Sequence, residues 1–134
     1  PSRGDPMAMK AQLRTDAIGN ITIHMEGGLN FENSGSFRKE LEDLTITNPT
    51  SVITLDMNRL EFVGSSGIGF FVDTIKALNA KRDQLRISNV KSEFLKVFKL
   101  YDLNLMDVLI DEFESDDTHD MSQRFGNRKM TFQN

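Results

Sequence analysis

The chain has 134 residues, a net charge of -4 and a pI of about 5.1, enough for one domain with a modest core and too few for two. Its apolar fraction of 38% and charged fraction of 27% are those of an ordinary globular protein, and the acidic balance lacks the basic surface that nucleic acid or an anionic membrane requires. Cysteine is absent, which excludes disulfides, thiolate nucleophiles, zinc knuckles and iron–sulfur ligation together and fits a reducing cytoplasm.

The start, Pro1 to Pro6 ahead of Met7, has no apolar core of a secretory signal. It reads as an expression remnant, with a natural start at Met7 or Met9. Ala11 to Asp16 alternates loosely, Ala17-Ile18-Gly19-Asn20 carries turn chemistry, and Ile21, Ile23 and Met25 recur with period two. This predicts a β-hairpin whose second strand ends at Gly27-Gly28. A helix is expected to start near Glu32 to Ser34, capped by Asn33 or Ser34, with Phe37, Leu41 and Leu44 on one face. Asn48-Pro49 closes it.

Ser51 to Met57 reads as a central strand, apolar on both faces. Arg59 to Phe62 reads as a connection, and Gly64-Ser65-Ser66-Gly67 opens a long helix with Ile68, Phe71, Val72, Ile75 and Leu78 in register. Leu85 to Ser88 is a short strand. Asn89 or Ser92 is expected to cap a third helix with Phe94, Val97, Phe98 and Tyr101 on its apolar face, and Met106 to Ile110 to form a last strand. By spacing most phenylalanines, Phe31 included, belong to the core; Phe70 falls off the stripe and could pack on a neighbouring helix or face a partner, with the core still its expected place. From Asp111 an acidic stretch follows. Met121 and Phe125 mark one short helix, and Gly126 to Asn134 is a basic tail expected to be mobile unless a partner or a second subunit holds it. No apolar run reaches the roughly 18 residues of a membrane span. Strands alternating with helices imply an α/β domain with a mostly parallel sheet.

The segment Phe62-Val63-Gly64-Ser65-Ser66-Gly67-Ile68-Gly69 carries the chemistry. It fails as a nucleophile elbow, because the glycine required two residues after Ser66 is Ile68. It fails as a P-loop, having no lysine, and as a dinucleotide loop, because its glycines are spaced in reverse order. His24 and His119 stand isolated, an exposed strand residue and an acidic-tail residue, and make no metal site. What remains is a serine-rich helix start at the C-terminal edge of a central strand, the edge where α/β sheets gather their sites. The bland reading is a capped helix. The sharper one is a phosphate switch: unpaired N–H groups and the positive helix end favour an added dianion, and a partner presenting acidic groups would be repelled by it.

Leu55-Asp56-Met57 followed by Phe62 to Gly69 resembles the signature of STAS domains, the family of anti-sigma-factor antagonists. Gly27-Gly28-Leu29-Asn30 resembles that family's Gly-x-Leu-Asp element, and Lys91 to Phe98 with Leu103 resembles its third helix. The same element order runs from about Leu13 to Asp111. The resemblance implies a single STAS-like domain over residues 9–112, with an N-terminal antiparallel hairpin strand on a mostly parallel sheet and helices mainly on one face. Residues 1–8 precede it, and 113–134 form an acidic, then basic extension.

In function, the resemblance implies a regulatory interaction module, not an enzyme, with no cofactor and no metal. Its partners would be an anti-sigma factor that is also a serine kinase, and a phosphatase that resets the cycle; a second copy of the chain is a further candidate. Ser65 is the implied phosphoacceptor and Ser66 its alternative, with Asn30, Gly64, Ser65, Ser66 and Gly67 on the partner face. Gly64 and Asn30 stand where the family carries aspartates. The alternative reading is an unphosphorylated accessory or scaffold subunit, in a transport system or a signalling complex.

Overall fold

The structure, a computed structural model, describes residues 9–62, 65–110 and 127–132. The start before Met9, Gly64, the acidic stretch and the expected helix with Met121 and Phe125 all lie outside the described residues.

The hairpin forms as its alternation predicts. Strand β1 (Met9–Thr15) pairs antiparallel with β2 (Ile21–Leu29). The turn is organised by Asp16, whose Oδ1 accepts from the N–H groups of Ile18 and Asn20 at 3.0 and 2.9 Å. Gly19 supplies the positive φ, +94°, that a side chain would strain. Along both strands Met9, Ala11, Leu13, Ile21, Ile23 and Met25 are buried, while Lys10, Gln12, Arg14, His24 and Glu26 alternate with them onto the other face.

The remaining described elements are α1 (Phe31–Thr47), β3 (Ile53–Phe62), α2 (Ser65–Lys81), β4 (Leu85–Ser88), α3 (Ser92–Leu100), the single turn α4 (Leu105–Val108), β5 (Leu109–Ile110) and β6 (Asn127–Phe132). The sheet has six strands in the order β5-β4-β3-β2-β1-β6. Strands β2 to β5 run parallel, and β1 is antiparallel to both of its neighbours.

One face of this sheet holds the helices. Phe37 of α1 stacks on Phe71 of α2 at 6.2 Å, and Phe71 on Phe98 of α3 at 5.9 Å. Phe62, at the end of β3, meets Phe71, Phe94 and Phe98 edge-on at 4.8–6.0 Å, the geometry in which the positive ring edge faces a negative ring face. This aromatic row clamps the three helices to the C-terminal half of β3. Truncating Phe71 or Phe98, both fully buried, is expected to cost about 3–5 kcal/mol.

Several sequence expectations are corrected. Strand β3 does not stop at Met57 but runs to Phe62. A bulge shifts the β2–β3 register between His24 and Glu26, so Met57 and Leu60 both reach the core while Asn58 and Arg59 stay outside. Met106 to Ile110 is mostly the turn α4, capped by the Asn104 side chain on the N–H of Met106 at 3.1 Å, with a two-residue strand after it; Met106 is 92% exposed. Tyr101 is the half-exposed C-cap of α3 and not part of its buried face. Lys91, not Asn89 or Ser92, is the N-cap of α3, without a side-chain capping bond. The C-terminal tail is no free tail over its whole length, because Asn127–Phe132 pairs with β1 and covers its outer edge.

Candidate functional site

Strands β2 and β3 end side by side, with Leu29 paired to Phe62. The chain therefore leaves the sheet twice at one edge, into α1 after Leu29 and into α2 at Ser65.

The first exit is fixed by two asparagines. Asn30 is the N-cap of α1, correcting the expected cap at Asn33 or Ser34. Its Oδ1 accepts from the N–H of Asn33 at 2.9 Å, and the Asn33 Oδ1 accepts from the N–H of Asn30 at 2.9 Å. This is a reciprocal capping box with asparagine in the role usually taken by glutamate or glutamine. Asn33 is buried and its Nδ2 also donates to the Gly28 carbonyl at 2.9 Å, locking the helix start to the strand end. Phe31, the first residue of α1, is 67% exposed, contrary to its expected place in the core.

The second exit is held against the first. A Cβ on Gly67 would lie 2.8 Å from the Leu29 carbonyl oxygen and 3.5 Å from the Asn30 Cα. Glycine at this position lets the first turn of α2 rest directly on the β2–α1 junction. Two residues on, a Cβ on Gly69 would meet the Tyr101 ring at 3.3 Å, so the end of α3 braces the other side. Ser65 opens the helix, Ser66 is exposed and Gly67 is buried. No acidic residue stands in the first turn of α2. Phe70 is partly buried, with the Arg38 guanidinium of α1 5.9 Å from its ring centre, so it packs on a neighbouring helix and not in the core.

Of the residues expected on the partner face, the structure sets Gly67 against Asn30, with Ser65 and Ser66 ahead of it in the first turn of α2; Gly64 lies outside the described residues. Phe31 and Tyr101 border this surface and were not read as part of it. Exposure at the first turn of α1, beside a cap, is a signal that residue spacing alone does not carry.

A second polar cluster lies on the sheet face away from the helices. The His24 Nδ1 is 2.6 Å from the Asp56 Oδ2, so His24 is not the isolated strand residue the sequence suggested. Asp56 also accepts from the Asn89 Nδ2 at 2.9 Å and the Asn58 N–H at 3.1 Å. Burial alone would raise the Asp56 carboxyl, but the hydrogen bonds from His24, Asn89 and Asn58, with the charge of His24, outweigh it and hold it below its ordinary value. Among the described residues no group of three or more His, Cys, Asp or Glu is placed to hold a metal ion.

The STAS domain family matches residues 11–115, and the chain belongs to that family. Its fold is similar to that of the Bacillus cell fate determinant SpoIIAA in the phosphorylated form, with a TM-score of 0.59 at 21% identity over 82% of this chain and 97% of that one. It is likewise similar to the anti-sigma factor antagonist SpoIIAA in its unphosphorylated form, with a TM-score of 0.59 at 21% identity over 80% and 91%. The murine Slc26a9 anion transporter contains a similar fold, with a TM-score of 0.58 at 14% identity; the match covers 86% of this chain and 22% of the transporter. Among the described residues, no helix is long and apolar enough to cross a membrane.

Proposed function

We propose that this chain is an anti-sigma-factor antagonist-like module whose partner surface is the first turn of α2 and the start of α1, switched by phosphorylation of Ser65. One observation carries the reading most: the helix start that the family signature marks is seated on the Asn30 junction by Gly67 and has no acidic residue in its first turn. The helix end supplies N–H groups and a partial positive charge that favour a dianion. A phosphate there adds about -1.5 to -2 charges at a surface that is otherwise uncharged over Asn30, Phe31, Ser66 and Gly67. The unmodified face would dock on the partner through Phe31 and the serine turn, and the phosphorylated one would be repelled by acidic groups opposite. The partner class is an anti-sigma factor with serine kinase activity, opposed by a phosphatase. The fold shared with both the phosphorylated and the unphosphorylated SpoIIAA supports this reading.

The test is incubation with ATP and the serine kinase encoded nearest in the genome, followed by intact mass and site mapping. One added phosphate, lost in Ser65→Ala and kept in Ser66→Ala, is the expected result. No adduct with an active kinase contradicts the proposal.

A further inference from the structure

The sheet face opposite the helices is polar and concave. It forms a cleft of about 470 Å³ lined by Lys10 and Arg14 of β1, His24 and Glu26 of β2, and Asp56 and Arg59 of β3, within the size range of small-molecule sites. The lining brings three permanent cations together on a chain whose net charge is -4. Of the two carboxylates, Asp56 is engaged by His24, Asn89 and Asn58. Glu26 lies between Lys10 and Arg59 in the strand register, yet among the described residues neither cation forms an ion pair with it. The Asp56 bond fixes the Nδ1 side of His24, leaving Nε2 buried without a hydrogen-bond partner among the described residues.

We propose that this cleft is a binding site for a phosphomonoester, with the exposed Lys10 and Arg59 on the phosphate oxygens and Arg14 adding charge at the rim. A dianion matches the site better than a single carboxylate does. Its three terminal oxygens can take a guanidinium fork and an ammonium at once. Neither this cleft nor any of these residues takes part in the Ser65 surface, so the two sites are separable.

The experiment is an amide NMR titration of the isotope-labelled full chain with glycerol 3-phosphate, with glycerol as the uncharged control. Co-sedimentation with phosphatidylcholine vesicles, with and without phosphatidic acid, runs beside it. Saturable shifts at Lys10, His24 and Arg59, absent with glycerol and at least tenfold weaker in the Lys10→Ala/Arg59→Ala variant, are expected. Both residues are exposed, so that variant keeps the fold. Response to the soluble ester alone assigns a free metabolite, and response to the anionic vesicles alone assigns a lipid headgroup; either supports the phosphate site. No saturable response to either probe, shifts confined to the start of α2, or unchanged affinity in the double variant overturns it.

Discussion

The Leu29 carbonyl oxygen lies where a side chain on Gly67 would begin, 2.8 Å from the position of its Cβ. The obstacle is backbone, which cannot rotate aside as a side-chain end would. Gly67→Ala is therefore expected to cost about 1–3 kcal/mol through forced displacement of α2 from the β2–α1 junction. Gly35, on α1, has nothing within 4 Å of its Cβ position, and Gly35→Ala is expected to add about 0.5–1 kcal/mol. Urea unfolding of the two variants should give opposite signs; destabilisation of similar size in both would show that the contact at Gly67 is not what matters.

The two asparagines of the capping box should be unequal. Asn30→Ala loses the cap and is expected to cost about 1 kcal/mol, whereas Asn30→Asp keeps an acceptor and should stay near the parent. Asn33→Ala removes the bond to the Asn30 N–H and also the one to the buried end of β2 at Gly28. Each unsatisfied buried group adds about 1–3 kcal/mol. Chemical denaturation should therefore rank Asn33→Ala below Asn30→Ala; the reverse order would refute the assigned bonds.

The acid side of the stability profile should carry the mark of Asp56. Its carboxyl is held below the ordinary value of 3.8 in the folded chain. The stability it contributes is thus complete above that value and is lost as pH falls through the depressed one. The stability gap between the parent and Asp56→Asn is expected to close as pH falls below the ordinary aspartate range. Urea midpoints measured from pH 5 downward check this, and a gap that stays open at the acid end would contradict it.

Strand β6 should act as an edge cover. It pairs with β1 from Met9↔Phe132 to Arg14↔Asn127, and removing it bares a row of unpaired backbone groups. A chain truncated before Asn127 is expected to associate in a concentration-dependent way that the full chain does not show. Light scattering on both, over a range of concentrations, would reveal it; an unchanged mass would mean that β1 needs no cover.

The hairpin, the order of the elements and the buried faces of α1 and α2 were legible because their apolar residues repeat at periods of two and near 3.6. The serine turn was legible for a different reason, since small residues between a strand and a helix leave few alternatives. Phe62 does not read as strand because the polar pair Asn58-Arg59 interrupts the pattern, and only pairing with β2 shows that the bulge continues the strand. The box at Asn30 was hidden by asparagine at its third position. His24 looked alone because Asp56 is 32 residues away, and nothing before the parallel register of β2 and β3 brings them together. Strand β6 is polar and basic, and its pairing with β1 is a long-range event that local pattern does not encode.

In the proposed switch, phosphate on Ser65 turns the α2 surface from binding to non-binding. The most direct measurement is the affinity of the purified anti-sigma kinase for three forms: the unmodified chain, Ser65→Ala, and the chain fully phosphorylated at Ser65. The unmodified chain and Ser65→Ala should bind alike, and the phosphorylated form at least tenfold more weakly, a difference of about 1.4 kcal/mol or more. Equal affinity of the phosphorylated and unmodified chains would contradict the account.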